Sequence, residues 1–289
     1  MGAIFGLAFH HYHDIISRGT IQGVVRTLFR GNEKQGPHAA GVAIVREKEI
    51  TIHKDGVTAK AYPETAGYKA AINKGTTSDQ TNPLLSIIGS AREATVGGPE
   101  DNSNNQPMAV GNRIIGVCEG SVRNHRRLMA ELLIKYAAGG KQKLFDRTSS
   151  TDVEALFQMM YYDTHMGHCD QFGRQTSVKI DYKRAIQDAC GRVQGSFAGA
   201  MVSAANPYLL FLYRTVNPLK VFIFDKPGVT VFSSSEQAMR LAVQGMGWST
   251  PASVEFARFS GIGINLHSNA FDQFEIIPEM NSAHTGGSL

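Results

Sequence analysis

The chain has 289 residues, of which 42% are hydrophobic and 19% charged, a balance that lets one large domain or two small ones bury a substantial core. A net charge of +4 is too mild to mark a nucleic-acid-binding protein. The densest basic stretch, Arg123 to Leu128 (RNHRRL), lacks interleaved aromatics and reads as the solvated face of a helix. Three cysteines, Cys118, Cys169 and Cys190, stand at unrelated spacings, which argues against a disulfide framework and fits a reducing compartment. The first apolar run is too short, and too poorly flanked by basic residues, for a signal peptide. No stretch reaches the roughly 18 apolar residues of a membrane helix. The Met-Gly start lacks the Ser or Thr at position 6 that myristoylation needs, since Gly6 stands there. These features predict a soluble, cytoplasmic protein with no membrane and no nucleic-acid partner.

In chain order, Ala3–Phe9 and Ala39–Val45 are short apolar runs that predict buried strands, and Glu49–Lys54 alternates as a half-buried one. Leu84–Ala91 and Arg113–Cys118 are further strand candidates. Between them, Val96 to Pro107 (VGGPEDNSNNQP) is a long loop by its Gly, Pro, Asn and Asp content, a length that often accompanies function. Helices are predicted over Asn124–Tyr136, which ends at the glycines of KYAAGGKQK, and over Thr151–Tyr162. In the second, Thr151 and Glu154 have the spacing of a capping box. A helix over Tyr182–Val193 precedes four strands, Ser196–Ser203, Leu209–Tyr213, Lys220–Phe224 and Val229–Ser233, joined by Asn-Pro and Pro-Gly turns. Ser233 to Glu236 (SSSE) reads as the N-cap of a helix over Glu236–Gln244, a feature that can also receive an anion. Ile262–Leu266 and Phe274–Ile277 read as closing strands. Strands and helices come in groups rather than in strict alternation, which predicts antiparallel sheets covered by helices, an α+β protein. One domain over residues 1–280 with a flexible tail at 281–289 is the expected organisation.

Seven stretches carry a resemblance in consistent order: MGAIFGLAF at the start, QGPHAAGVAIV (Gln35 to Val45), GSAREATVGGPEDNSNNQP (Gly89 to Pro107), GVCEGSVRNHRRL (Gly116 to Leu128), STDVEALF (Ser150 to Phe157), GSFAGAMV (Gly195 to Val202) and VFSSSEQAMRLAV (Val231 to Val243). Together they resemble the glutaminase domain of the class II glutamine amidotransferases, nearest the amidophosphoribosyltransferase branch. The resemblance implies an N-terminal nucleophile hydrolase fold, a four-layer αββα sandwich. It also implies a mechanism in which an N-terminal cysteine, activated by its own α-amine, attacks the glutamine amide.

The residues that mechanism requires are absent. Ile4, Phe5 and Gly6 fall on the family's Ile-Phe-Gly, so the cysteine position is Gly2, which has no side chain to acylate. The Asn-Gly pair implied for the oxyanion hole is Glu119-Gly120, a carboxylate where an amide donor belongs. Loss of one such donor typically costs about 10²–10³ in rate. The family's His-Thr-Arg-(Trp/Tyr) run is Ser90-Ala91-Arg92-Glu93, its Arg-Gly is Gln35-Gly36, and the acidic partner is His38. Other handles persist. Arg92 falls on the arginine that the resemblance assigns to the substrate α-carboxylate, Asp152 on the acid assigned to the α-ammonium, and Thr95 and Gly97 on the rim loop.

Blander readings stand beside these. Arg92 and Asp152 can form a structural ion pair, or Glu119 can pair with Arg92 and close the pocket. Cys118 reads as a small core residue before it reads as a relocated nucleophile, and Ser90 and Ser121 have no His–Asp partner at a recognisable spacing. His10, His11 and His13, with His165, His168 and Cys169, lack the paired spacing of a metal site. No metal and no cofactor is expected. Nothing after about residue 245 has the length of a synthase or phosphoribosyl domain. The function expected from sequence is therefore a non-catalytic structural or interaction module that meets a protein partner or itself, free in the cytoplasm or in a larger particle; the alternatives are a pseudoenzyme that binds glutamine or glutamate, and an amidotransferase or hydrolase with a relocated nucleophile.

Overall fold

The computed structural model describes residues 2–10, 16–166 and 180–279. Thirteen strands form two antiparallel sheets among these residues. The first contains β1 (Ala3–Phe9), β2 (Ala39–Arg46), β3 (Ile50–Asp55), β4 (Leu84–Arg92), β9 (Lys220–Phe224), β10 (Val229–Ser233) and β11 (Ala252–Val254), in the order β11-β9-β10-β1-β4-β2-β3. The second contains β5 (Met108–Val110), β6 (Ile114–Val122), β7 (Gly195–Ser203), β8 (Asn206–Arg214), β12 (Ser260–Asn265) and β13 (Ala270–Glu275), in the order β13-β12-β8-β7-β6-β5.

Every strand of β1, β2 and β4 is buried along its whole length, which explains why they read as continuous apolar runs rather than alternating ones. Two faces of each strand meet two different cores. Ala3, Phe5, Leu7 and Phe9 pack against α1 (Arg18–Gly31), α2 (Ala66–Gly75) and α6 (Glu236–Val243). Ile4 and Ala8, on the other face, join Val117, Ala198, Ala200 and Leu212 in a core between the two sheets. On the far side, Phe197, Met201 and Tyr213 pack against α3 (His125–Ala138), α4 (Glu154–Thr164) and α5 (Tyr182–Arg192). The layers therefore run helix, sheet, sheet, helix, which is the αββα sandwich that the resemblance implies.

Four elements lie outside those expected from sequence: α1, α2, β5 and β11. For α1 the signal is present, because Ile21, Val24, Val25, Leu28 and Phe29 repeat at helical spacing behind the N-cap Ser17. The three-residue strands β5 and β11 are too short to show a period. Strand β6 continues four residues beyond Cys118, through Glu119 and Gly120. Strand β13 begins earlier than expected, at Ala270, and ends before the exposed Ile277. Ser235 caps α6 by accepting from the Ala238 N–H.

His10 is buried, with Nε2 hydrogen-bonded to Thr230 Oγ1 at 2.6 Å and Nδ1 to Asn269 Oδ1 at 3.1 Å, and burial lowers its pKa. It is a packed core histidine. His11, His13, His168, Cys169 and the tail at 281–289 lie outside the described residues. Among the described residues no three His, Cys, Asp or Glu side chains gather as a metal site, and no helix is long and apolar enough to cross a membrane.

Candidate functional site

Strand β1 lies fourth of seven in its sheet, between β10 and β4, so its start opens at the middle of the sandwich rather than at an edge. Residue 2 precedes it on the face shared with Ile4, toward the second sheet. There a cavity of about 320 Å³ opens, at the lower end of the volumes that small-molecule sites span. Gly2, Arg92, Thr95, Glu119, Gly120 and Asp152 line it, so six of the seven residues singled out from sequence meet in one place. Gly97 is the exception; it supports the wall from behind.

Arg92 ends β4 and is buried, 7% exposed. Its Nη2 donates to the carbonyls of Val96 and Gly97, each at 2.7 Å, and Nη1 donates to Asn105 Oδ1 at 3.1 Å. The guanidinium therefore fixes the loop 93–107 as a wall. Gly97 sits at φ +78, a left-handed conformation that glycine adopts without strain, and a Cβ there would meet Asn104 and Ser150. Asn104 Oδ1 accepts from the Ser150 N–H and hydroxyl, while the Gln106 amide brackets Cys118 of β6, donating to its carbonyl and accepting its N–H. Two of the five N–H donors of Arg92, that on Nε and one on Nη1, have no protein partner among the described residues.

Asp152 is buried just before α4, and its Oδ2 accepts from the Val122 N–H at the end of β6 at 2.7 Å. Its Oδ1 has no hydrogen-bond donor among the described residues. The expected capping box does not form. Helix α4 starts at Glu154, its N-cap Val153 makes no side-chain cap, and Thr151 bonds Ser149 instead. Glu154, fully buried, turns backwards to accept from the N–H groups of Thr148 and Ser149, the Ser149 hydroxyl and the Gln158 amide. This closed loop holds Asp152 in place. Glu154→Ala is expected to lower stability by about 2–4 kcal/mol, because the buried Ser149 donors lose their acceptor and a cavity opens. Urea denaturation at pH 7 measures it.

Glu119 does not pair with Arg92, and Arg92 forms no ion pair with Asp152 closer than 4 Å. Glu119 is instead 7% exposed and turned across the gap between the sheets. Asn217, after β8, donates to Oε1 at 3.5 Å, and Ser234, after β10, lies near enough to help hold down the pKa of the same carboxyl. Ser234 accepts the Ile4 N–H, and both its N–H and its hydroxyl donate to the Ile4 carbonyl, which ties Ser234 to the start of β1 beside Glu119. Neither Ser234 nor Asn217 was legible as a site residue from sequence, where one read only as a helix cap and the other only as a turn.

Burial raises the Glu119 pKa to about 7 from the ordinary 4.5, with the hydrogen bonds from Ser234 and Asn217 opposing the rise. A raised folded pKa means that the native state holds the proton more tightly than the unfolded chain. Its stabilising contribution is complete below pH 4.5 and is lost as pH rises through 7. Glu119→Gln keeps the acceptor and cannot ionise. Relative to wild type, it is expected to gain on the order of 3 kcal/mol between pH 4.5 and pH 8. A stability difference that does not change with pH, in urea titrations at both values, would contradict this.

A Cβ at Gly2 would stand 2.8 Å from the Ala91 carbonyl oxygen of β4, so any larger residue there requires the strand start to shift. Gly120 is likewise constrained, at φ +112 with its would-be Cβ 2.0 Å from the Ser196 carbonyl oxygen. Cys118 is buried in the helix-side core with Phe157 and Tyr213, and burial pushes its thiol pKa well up, away from a nucleophilic thiolate.

No protein-family model matches the chain. Among curated proteins it is similar to the glutamine–fructose-6-phosphate aminotransferase (isomerizing) of Bacillus thuringiensis subsp. konkukian, 24% identical over 223 residues, which covers 75% of this chain and 31% of that one. The same enzyme of Corynebacterium diphtheriae is 26% identical over 204 residues, covering 70% and 27%. Among solved structures, the glutamine phosphoribosylpyrophosphate amidotransferase of B. subtilis, complexed with ADP and GMP, superposes with a TM-score of 0.63 at 16% identity, over 95% of this chain and 49% of that one. The allosteric regulatory enzyme of purine biosynthesis gives 0.61 at 16%, with the same coverage. The chain thus spans about a third of the length of the curated relatives and half that of the solved structures. The fold is that of the class II glutamine amidotransferase glutaminase domain, an N-terminal nucleophile hydrolase sandwich.

Proposed function

We propose that this glutaminase-type domain no longer cleaves amides and instead holds a free α-amino acid in the cavity at the start of β1. One observation carries the reading. The buried Asp152 presents an oxygen without a donor, and the buried Arg92 presents two donors without an acceptor, to a cavity that neither fills. These atoms open into the cavity rather than being sealed in the core, so a bound group can reach them. An α-ammonium on Asp152 and an α-carboxylate on Arg92 would satisfy both at once, with charge-assisted hydrogen bonds.

Loss of amide cleavage rests on two positions. Gly2 supplies no nucleophile, and Glu119 puts a titratable carboxyl where an amide donor would stabilise an oxyanion. The acceptor chemistry of the relatives, on fructose 6-phosphate or a phosphoribosyl pyrophosphate, is not carried over to this chain. The test combines isothermal titration with α-amino acids and a glutaminase assay: saturable heat without ammonia release supports the proposal, and ammonia release at an enzymatic rate overturns it.

A second reading, as an interaction module that meets a protein partner or itself, is favoured by Leu133 and Ile134, adjacent on α3 and 46% and 68% exposed. The two readings are compatible, since Leu133 and Ile134 do not line the cavity.

A further inference from the structure

We infer that the cavity selects an α-amino acid whose side chain ends in a cation, of the ornithine or lysine kind, over glutamate and over neutral side chains. The inference rests on the amino-acid reading of the site and adds what the distal end of the ligand must be.

The charges around the cavity divide by depth. Glu93 and Arg123 are exposed at the rim, where water screens them. Arg92, Asp152 and Glu119 are each 7% exposed. One buried positive group thus faces two buried negative ones. Among the described residues none of the three joins an ion pair within 4 Å. Arg92 and Asp152 match the two ends of the α-amino-acid backbone and cancel against it. Glu119 is left over, on the face of β6 that Val117 shares with the core between the sheets. Its hydrogen-bond donor Asn217 is neutral, and the nearby amino terminus offsets only part of the rise in pKa that burial causes. A ligand that completes the inventory carries a second positive charge at the far end of its side chain. A γ-carboxylate placed there would meet a like charge and is disfavoured.

Ionisation of Glu119 gives this choice a pH signature. The groups facing Glu119 are Ser234 after β10, Asn217 after β8, Asp152 before α4, Arg92 of β4 and, more weakly, the amino terminus ahead of β1. His125, Glu93 and Arg123 stand at the rim. With the Glu119 carboxyl titrating at about 7, a cationic side chain is held by the ionised form, and binding below that pH displaces a proton.

The test is isothermal titration of the whole chain at pH 8 with ornithine, its neutral near-isostere norleucine, and glutamate, repeated at pH 6 and with Glu119→Gln. Ornithine is expected to bind at least about tenfold more tightly than norleucine at pH 8, with glutamate weakest, and its advantage is expected to fall about tenfold at pH 6. In Glu119→Gln the ratio is expected to collapse to near one and to lose its pH dependence. Equal binding of ornithine and norleucine, or glutamate binding as tightly as ornithine, would overturn the inference and leave the amino-acid site standing. A pH dependence that survives Glu119→Gln would also overturn it, by pointing to His125 or the amino terminus. Absence of binding by all three overturns the amino-acid site itself.

Discussion

Gly2→Cys, assayed with Met1 removed so that the α-amine is free, is expected to release no more ammonia from glutamine than the wild-type protein does. Supplying the thiol restores one of two missing parts. The carboxyl of Glu119 remains where an amide donor is needed, and that donor alone is worth about 10²–10³ in rate. The backbone also resists the substitution. A Cβ at residue 2 would lie 2.8 Å from the Ala91 carbonyl oxygen, and the β1–β4 ladder that pairs Ala3 with Ala91 must shift to admit it. The double variant Gly2→Cys/Glu119→Asn is expected to exceed the single one by at most that same factor. Turnover by Gly2→Cys alone at a rate typical of enzymes, about 1 per second or more, would show that the site is still organised for amide cleavage.

Asp152→Asn is expected to weaken amino-acid binding by about 10–100-fold while leaving the fold intact. The asparagine oxygen can still accept the Val122 N–H, which is the contact that the carboxylate makes with the protein. What disappears is the negative charge offered to the α-ammonium, and hydrogen bonds to charged groups contribute about 1.5–3 kcal/mol. An unchanged urea midpoint separates this effect from unfolding. Equal affinity in variant and wild type would place the ligand elsewhere or remove it. Arg92 is a poorer probe, since its Nη2 holds the Val96 and Gly97 carbonyls and truncation would release the cavity wall along with the ligand.

Much of this architecture is legible in the chain because it is dictated by local pattern. The runs Ala3–Phe9, Lys220–Phe224 and Val229–Ser233 coincide with β1, β9 and β10, since short stretches rich in apolar and β-branched residues are bounded there by turn residues such as Pro218, Pro227 and Gly228. The long loop Val96 to Pro107 is visible from its composition, and its role as a wall follows from Arg92, Asn104 and Gln106. Other features depend on contacts between residues far apart in sequence. Glu119 meets Ser234 and Asn217 across the gap between the sheets, about a hundred positions along the chain, so its raised pKa and its failure to pair with Arg92 have no local signature. The backward turn of Glu154 onto Ser149 likewise uses the spacing of a capping box for a different loop. The proposed loss of amide cleavage is the reverse case. Gly2 and Glu119 are single letters whose meaning comes from the resemblance, and the structure adds that a side chain at residue 2 would crowd the Ala91 carbonyl.

The central claim is that the cavity holds a free α-amino acid without cleaving it. Calorimetric titration of the wild-type chain with α-amino acids, ornithine and glutamine among them, tests it most directly, with Asp152→Asn alongside. Saturable one-to-one binding that weakens at least about tenfold in Asp152→Asn, with no ammonia released from glutamine, is the result predicted. No heat and no thermal stabilisation with any of these amino acids at millimolar concentration would contradict it.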